Sequence, residues 1–491
     1  MPNLTKQLRA ELVASLSLNA GQAEQSDPRD LFPIAEHSRA LETDVVLIVG
    51  DRGAGKTQLV RALGDPKVRA ALVRRVPGLR VPTGDSEWIA GWPIQKQGPD
   101  VSTWSSFAHA PGRERDDIVA VWLAYLVRLL SEQFDETSRL ALNDLLIIPG
   151  VDVASCLSAY RPRALQATVA LDTLDEKLVR EDRWLFVAYD ELDTLVLDDW
   201  SALGIIVRGL VSMWAAYARR WQRIRPKIFL RSDFYRHHRE IAGADVAKLA
   251  SNRIELSWSD RNLYGALIKH ILNKRDANGD ERLFKHFEKV VPTEDDVVLG
   301  HVPMLTDAYN AKPFVDRLVS EFMGADRKKG LAFTWILDHL RDGNGRALPR
   351  TLVWLVELAA EIERDKPRAS GGHLLHHVSM RNALDRVSKQ YVQHAGTHEF
   401  PWLAGLGERL QRDREVPWTY RELTKLVAFQ FDRTWGAPTK EIRPPGQDPE
   451  EVIESLVELG ILRSRSSGSY DVPDLYLEGL GLVRRGGVAK E

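Results

Sequence analysis

The chain has 491 residues, of which 44% are hydrophobic, and a formal net charge of −2. A chain of this length is expected to form about two to four domains rather than one compact core. The nearly neutral charge excludes the bulk basic character of many nucleic-acid-binding proteins, although local basic patches are still allowed. The single cysteine, Cys156, excludes a disulfide framework and favours a reducing, cytoplasmic location. No apolar run is long enough to span a membrane, so we expect no membrane partner.

The start of the chain predicts a short helix and a polar lead-in over residues 1–42, then an α/β domain over residues 43–259. Residues 45–49 are continuously apolar, which is typical of a parallel strand buried on both faces. A glycine-rich segment follows this run, and helical spacing begins after it. The segment fits G-x-x-x-x-G-K-[ST] at every fixed position, and with the next residue it comprises Gly50, Asp51, Arg52, Gly53, Ala54, Gly55, Lys56, Thr57 and Gln58.

The chemistry of phosphate binding explains these residue types. Glycines have no Cβ and let the backbone approach phosphate oxygens closely, while loop amides and a helix N-terminus attract negative charge. We therefore predict that Lys56 pairs with the β- and γ-phosphates of a nucleotide and that the Thr57 hydroxyl is a ligand of Mg²⁺. The alternative is an ordinary glycine turn, but a complete pattern between strand and helix favours the phosphate loop.

An inserted helical region is predicted over about residues 77–180. Its first part, residues 77–112, is rich in Gly, Pro and Trp and has little periodicity, which predicts irregular structure. One further strand of the core is nevertheless expected within residues 74–92. Helical spacing then covers residues 116–134 and most of residues 144–178.

A second buried strand is predicted over residues 183–189, and Asp190 and Glu191 follow it directly. Because parallel strands present their carboxyl ends at one edge of a sheet, these acids are expected where a ligand binds. Asp190 would organise the metal, and Glu191 would be the base that orients the attacking water. The alternative is a strand that ends in an acidic turn, but the upstream phosphate loop favours the catalytic interpretation.

A long helix with a basic end is predicted over residues 200–223, followed by a short buried strand over residues 227–230. The strand ends at Arg231, where a polar side chain would face the γ-phosphate or the attacking water. We therefore predict a γ-phosphate contact for Arg231. A solvated strand end beside a basic helix is the alternative.

These features together resemble the AAA+ and STAND branches of the P-loop ATPases over about residues 30–365. The string Asp190-Glu191-Leu192-Asp193 is similar to that of origin-recognition initiators, whereas Arg231 is more typical of STAND proteins. The resemblance implies ATP as the nucleotide, Mg²⁺-dependent ATPase activity and assembly into a homo-oligomer. It also implies a helical lid, which fits residues 260–365, with Arg350 at a helix start as a second γ-phosphate contact; a surface arginine is the alternative.

Two further motifs have competing interpretations. AAA+ rings use an arginine from a neighbouring subunit, for which the basic runs 219–227 and 236–239 are candidates; a solvated helix end is the alternative. Residues 273–276 match N-K-x-D, the guanine-reading string of GTPases. The residues before this match have helical rather than strand spacing, which disfavours guanine recognition. ATP therefore stays the expected nucleotide, as the resemblance implies.

The C-terminal part predicts a helical connector over residues 366–416, with Ser379 as a helix N-cap, and a winged-helix domain over residues 417–491. Two helices are expected over 419–429 and 449–459, followed by a strand, a polar turn and a second strand. The second helix carries acids that would repel a DNA backbone, which favours a protein contact. Arg463 and Arg465 in the turn region keep DNA as an alternative; the acids are Glu450, Glu451, Glu454 and Glu458.

The sequence therefore predicts an α/β P-loop NTPase with an α-helical lid and a C-terminal winged helix. Its predicted function is an ATP-driven switch of AAA+/STAND type that assembles with itself and regulates a co-encoded protein partner, in bacterial signalling or defence. The first alternative is a DNA-handling ATPase that resembles replication initiators or transposition regulators. The second is a nucleotide-binding scaffold without hydrolysis, which the presence of Glu191 disfavours.

Overall fold

The computed structural model divides into two compact units. Pro33–Ser257 form one, here called the sheet unit, and Met1–Phe32 with Trp258–Glu491 form the other, here called the helical unit. The structure describes residues 2–16, 27–82, 84–93, 101–112, 114–147, 152–196, 200–217, 219–237, 252–275, 279–370, 372–398, 400, 402–428, 444, 446 and 448–485. Within these ranges, no helix is long and apolar enough to cross a bilayer.

The sheet unit is built on five parallel strands in the order β2-β3-β4-β1-β5. The first strand is buried at every position, as its continuous apolar sequence predicts. This parallel sheet with flanking helices confirms the predicted α/β P-loop fold class. The strands are β1 Leu47–Gly50, β2 Asp85–Trp92, β3 Arg183–Tyr189, β4 Ile224–Arg231 and β5 Ile254–Glu255.

Helix α1 spans Pro2–Leu16 and belongs to the helical unit. The helices of the sheet unit follow it in the chain. They are α2 Ala35–Arg39, α3 Lys56–Gly64, α4 Pro66–Arg75, α5 Val101–Ala108, α6 Arg115–Leu129, α7 Glu136–Ala141, α8 Asn143–Leu146, α9 Val153–Tyr160, α10 Ala164–Arg180, α11 Trp200–Tyr217 and α12 Ser232–His237, with 3₁₀ turns at Ser131–Gln133, Arg161–Arg163 and Leu192–Leu195.

The prediction of irregular structure over residues 77–112 is wrong, because β2 and α5 lie there. The expected strand within residues 74–92 is present as β2. Its weak apolar pattern has a physical reason, since β2 is an edge strand and only its last two residues, Gly91 and Trp92, are buried. The insertion packs on the sheet through fully buried aromatic side chains, and the Trp122 indole donates to the Ile206 carbonyl at 2.9 Å.

The loop into β4 is tied to α10 by one buried carboxylate. Asp175 accepts hydrogen bonds from three consecutive backbone amides, those of Gln222 at 2.8 Å, Arg223 at 2.7 Å and Ile224 at 3.1 Å. One turn earlier on α10, Asp172 accepts from the Trp221 indole at 3.0 Å. These bonds fix the start of β4, the strand that ends at Arg231.

The helical unit continues with α13 Asp260–Leu272, α14 Arg282–Phe287, α15 Lys312–Leu318, α16 Ala332–Leu340, α17 Pro349–Asp365, α18 His377–His398 and α19 Leu403–Leu410. An antiparallel hairpin of β6 Thr293–Asp296 and β7 Gly300–Pro303 interrupts the helices. Residues 260–365 are therefore predominantly helical, as predicted, but the sequence did not predict the hairpin. Short 3₁₀ turns lie at Pro28–Asp30, Ala308–Ala311, Arg327–Lys329 and Gln411–Asp413.

A buried polar network joins α1, α17 and α18. Glu363 is fully buried and accepts from the Ala369 amide at 2.5 Å and from the Ser379 hydroxyl at 2.7 Å. Arg9 lies 3.7 Å from this carboxylate and donates to the Leu374 carbonyl at 2.9 Å. The predicted N-cap role of Ser379 is wrong, because α18 begins two residues earlier at His377 and the hydroxyl bonds to Glu363 instead.

The C-terminal elements follow the predicted order. They are β8 Glu415–Val416, β9 Trp418–Thr419, α20 Tyr420–Ala428, α21 Pro449–Glu458, β10 Arg463–Ser464, β11 Ser469–Asp471, α22 Asp474–Leu477 and β12 Val483–Arg484. Strands β10, β11 and β9 form one antiparallel sheet, and β12 pairs with β8. The winged-helix assignment and the predicted domain boundaries stay predictions.

Candidate functional site

The predicted phosphate loop connects β1 to α3 at the carboxyl end of the sheet. Gly53 and Gly55 have φ angles of 88° and 91°, a left-handed backbone that favours glycine. A Cβ on Gly50 would lie 3.2 Å from the Leu256 Cβ and 3.3 Å from the Ala54 Cβ. The glycines therefore serve the path of the loop, and α3 begins directly after it, so that Lys56, Thr57 and Gln58 are its first residues.

Lys56 bridges the start of the loop. Its Nζ donates to the carbonyls of Gly50 at 2.8 Å and Asp51 at 3.1 Å. Burial lowers the pKa of Lys56, the nearby Asp190 charge partly offsets this, and Arg231 adds to the lowering. The lysine therefore lies within electrostatic range of both the predicted metal-organising acid and the predicted γ-phosphate contact.

Asp190 follows β3 and is 4% exposed. Burial raises its pKa, although a hydrogen bond with the Thr57 side chain and the Lys56 charge oppose this. The Thr57 hydroxyl and the Asp190 carboxylate thus form an oxygen pair at the mouth of the loop, and Mg²⁺ prefers such ligands, completed by phosphate and water. Over the described residues, no three His, Cys, Asp or Glu side chains gather into a metal cage.

Glu191 has an unusual backbone. Its φ of 49° and ψ of 35° are left-handed, which costs a non-glycine residue on the order of 1–2 kcal/mol. Burial raises the pKa of its carboxyl, the Asp190 charge raises it further, and Arg61 and Thr57 act in the opposite direction. A carboxylate with a raised pKa beside the predicted metal site suits a general base, because a base is most effective when its pKa approaches the working pH.

Arg231 lies at the end of β4, in register with Gly50 of β1. Its guanidinium is 7% exposed and binds Asp233 through two nitrogens, at 3.1 and 2.6 Å, and Asp193 at 3.4 Å. Burial alone would raise the pKa of Asp233, but Arg231 lowers it overall. The structure therefore places Arg231 in register with the first residue of the phosphate loop and adds two carboxylates that the sequence did not assign. Its γ-phosphate contact stays a prediction.

Arg350 lies outside the sheet unit. It is the second residue of α17 in the helical unit and is half-buried. Its γ-phosphate role stays a prediction.

The N-K-x-D match has a structural role. The Asn273 side chain donates to the Lys269 and His301 carbonyls at 2.8 Å and accepts from the His301 amide at 2.8 Å. Lys274 pairs with Asp30 at 2.9 Å. Both residues follow α13 in the helical unit, whereas guanine-reading strings end a strand of the core, so guanine recognition loses its basis. Asp276 lies outside the described residues.

The basic run 219–227 also has structural partners. Arg220 pairs with Asp172 at 2.5 Å, and Arg223 pairs with Asp182 at 3.1 Å. Lys227 is fully buried and donates to two backbone carbonyls. These three residues therefore have partners within the sheet unit, and a role of the run in a neighbouring subunit's site stays a prediction. The side chains of the second candidate run, residues 236–239, lie outside the described part of the chain.

Comparisons with known proteins give distant structural similarity only. No family model and no curated protein matches the chain. The ORC2 protein of Aeropyrum pernix, in ADPNP and ADP complexes, is 14% identical with a TM-score of 0.39, covering 94% of this chain and 93% of that one. The ORC1 protein of the same organism, in complex with DNA, is 13% identical with a TM-score of 0.38 and 95% coverage of each chain. Cdc6p of Pyrobaculum aerophilum is 12% identical with a TM-score of 0.28, covering 89% and 86%. At these scores the similarity carries no functional conclusion.

Proposed function

We propose that the sheet unit binds ATP with Mg²⁺ and hydrolyses it. The observation that supports this is the convergence of Lys56, Thr57, Asp190, Glu191 and Arg231 at the carboxyl ends of three adjacent strands, β3, β4 and β1. In open parallel sheets, this edge is where ligands bind. A glycine turn without function would not require a half-buried Lys56 side chain within electrostatic range of the buried Asp190 carboxylate.

Each residue then has one chemical task. Lys56 and the loop would hold the β- and γ-phosphates, and Thr57 and Asp190 would hold the metal, which supplies charge neutralisation between those phosphates. Water attacks the γ-phosphorus, the bond to the bridging oxygen breaks, and the water proton passes to the Glu191 carboxylate. Arg231 would stabilise the γ-phosphoryl charge, and it must then exchange at least part of its pairing with Asp233 and Asp193.

A pair of variants tests the nucleotide site. Lys56→Ala is expected to abolish the rise in melting temperature that MgATP causes, because ligand binding stabilises the folded state through RT ln(1 + [L]/Kd). Lys67→Ala is the matched control, since Lys67 is an exposed lysine on the next helix. Glu191→Gln should keep the MgATP-induced rise and lose turnover. Retained binding in Lys56→Ala, or wild-type turnover in Glu191→Gln, contradicts the proposal.

We further propose that ATP drives self-association of an AAA+/STAND-type switch that acts on a co-encoded protein partner in the cytoplasm, in bacterial signalling or defence. This part rests on the sequence resemblance. Particle mass measured with a slowly hydrolysed ATP analogue, with ADP and without nucleotide tests it. A mass that does not change with the analogue argues against nucleotide-driven assembly.

A DNA-handling ATPase is the second candidate, and one charge cluster favours it. Arg463, Arg465 and Arg484 surround the fully buried Asp471 at 2.6 to 3.3 Å and are 52%, 40% and 32% exposed. Their excess positive charge suits an anionic surface. The four glutamates of α21 oppose such a contact. Stimulation of ATP turnover by duplex DNA would favour this candidate, and stimulation lost in Arg465→Ala would place the contact at the cluster.

A further inference from the structure

Trp92, the last residue of β2, forms hydrogen bonds with the backbone of both Asp190 and Glu191. The Trp92 carbonyl accepts a hydrogen bond from the Asp190 amide at 3.0 Å. The Trp92 indole Nε1 donates to the Glu191 carbonyl at 3.3 Å and to the Thr194 hydroxyl at 3.0 Å. One side chain on the edge strand therefore reaches across the end of β3 to the backbone of the predicted base.

The Glu191 carbonyl oxygen accepts three hydrogen bonds in this turn. It accepts from the Thr194 amide at 2.9 Å, from the Thr194 hydroxyl at 2.8 Å and from the Trp92 indole. Within the described part of the chain, only Glu191 and Asp182 combine a side chain with a positive φ. A strained backbone persists only where its surroundings determine it strongly, and these three donors meet that requirement.

The approach of Trp92 depends on the residue before it. A Cβ on Gly91 would lie 2.7 Å from Val187 Cγ1 and 2.8 Å from Tyr189 Cε1. Glycine at this position lets β2 lie against the end of β3. Trp92 itself is 5% exposed, so its indole N–H is directed into the turn without competition from bulk water.

We propose that Trp92 and Thr194 are positioning residues that hold the left-handed backbone of Glu191, so that its carboxylate stays beside Thr57 and Asp190. This inference rests on the proposed role of Glu191 in ATP hydrolysis. Their side chains bond to each other and to the Glu191 carbonyl, so both act on the orientation of the base. Their loss is therefore expected to lower kcat and to leave nucleotide affinity nearly unchanged.

Four variants of the full-length chain test the inference. Trp92→Phe keeps an aromatic ring, although a smaller one, and removes the N–H donor, and Thr194→Val removes the hydroxyl at nearly constant shape. Thr194→Ser keeps the hydroxyl and should behave as wild type. The matched control is Trp88→Phe, because Trp88 lies on the same strand and its buried indole N–H has no hydrogen-bond partner among the described residues.

The first measurement requires no nucleotide. In protein labelled with ¹⁵N at tryptophan, the Trp92 indole resonance is identified by its loss in Trp92→Phe. It should move in Thr194→Val and stay in place in Thr194→Ser. A resonance that is unchanged in Thr194→Val shows that the tether is absent and overturns the inference.

The second measurement separates turnover from affinity. We expect kcat to fall about 5- to 10-fold in Trp92→Phe and about 3- to 10-fold in Thr194→Val, the range that one lost hydrogen bond gives. The Kd for MgATP should stay within about 2-fold, and Trp88→Phe and Thr194→Ser should keep the wild-type kcat. If kcat is equal in Trp92→Phe and Trp88→Phe, the positioning role is wrong, but the proposed ATP hydrolysis is unaffected. Turnover that is equal in the wild type and in Lys56→Ala overturns the proposed hydrolysis instead, and the positioning role with it.

Discussion

Lys227 gives the most quantitative test of this structure. Its Nζ is fully buried on β4, donates to the Glu42 carbonyl at 2.5 Å and the Val45 carbonyl at 2.7 Å, and lies 5.1 Å from the centre of the Phe186 ring. Burial lowers the pKa of Lys227 from 10.5 to about 7. At about 1.4 kcal/mol for each tenfold change, this pKa difference corresponds to roughly 5 kcal/mol of unfolding free energy.

The direction follows from proton binding. Because the folded-state pKa lies below the unfolded value, the unfolded chain binds more protons at intermediate pH, and stability increases as the pH rises. The destabilisation is full below the folded-state pKa of about 7 and disappears towards 10.5. Between about pH 7.5 and about pH 9.5, the wild type should gain roughly 2–3 kcal/mol relative to Lys227→Met, which has no titrating group here.

The assay is urea unfolding at several pH values, followed by tryptophan fluorescence. Lys227→Met removes the buried charge but leaves two carbonyls without their donor, at roughly 1–3 kcal/mol each. The two effects nearly cancel near neutral pH, so the pH dependence is the decisive readout rather than the absolute stability. Lys67→Met, at an exposed position, should follow the wild type. Parallel pH profiles for wild type and Lys227→Met would refute the reasoning.

Three further predictions concern carboxylates. Asp175→Ala removes the acceptor of three backbone amides and should lower the free energy of unfolding by about 3 kcal/mol; an unchanged urea midpoint would contradict it. Glu363→Ala leaves Arg9 without its carboxylate and should destabilise the helical unit by about 3–5 kcal/mol, measured by hydrogen exchange in α17 and α18. Because burial and the Asp190 charge raise the pKa of Glu191, the proposed base, ATP turnover should fall on acidification at a pH above the ordinary glutamate value of 4.5. Turnover that stays constant down to that value would contradict this last expectation.

Sequence patterns predicted the parts of the site that depend on local chemistry. The phosphate loop could be predicted because glycines, lysine and threonine occur at fixed spacing between an apolar strand and a helix. Asp190 and Glu191 could be predicted because a buried strand delivers its next residues to the ligand edge of the sheet. These signals lie within short segments, so no knowledge of the tertiary structure was required.

The remaining features depend on contacts between distant segments. Strand β2 is an edge strand with few buried positions, so its apolar pattern is weak. Trp92 contacts Glu191 across 99 positions of sequence, and nothing near Trp92 announces that partner. Asp193 and Asp233 lie next to predicted residues, but their pairing with Arg231 becomes visible only when β4 and the turn after β3 come together.

The helical unit combines a segment that precedes the sheet unit in the sequence with one that follows it. This order has a consequence for folding during synthesis. Leu8 and Leu12 of α1 are buried in the same core as α17 and α18, and Arg9 bonds to a carbonyl 365 positions later. Domains generally fold in the order in which they leave the ribosome. The sheet unit can therefore fold first, while α1 keeps an apolar face exposed until the second half of the chain emerges. We therefore expect chaperones to bind the apolar face of α1 during that interval.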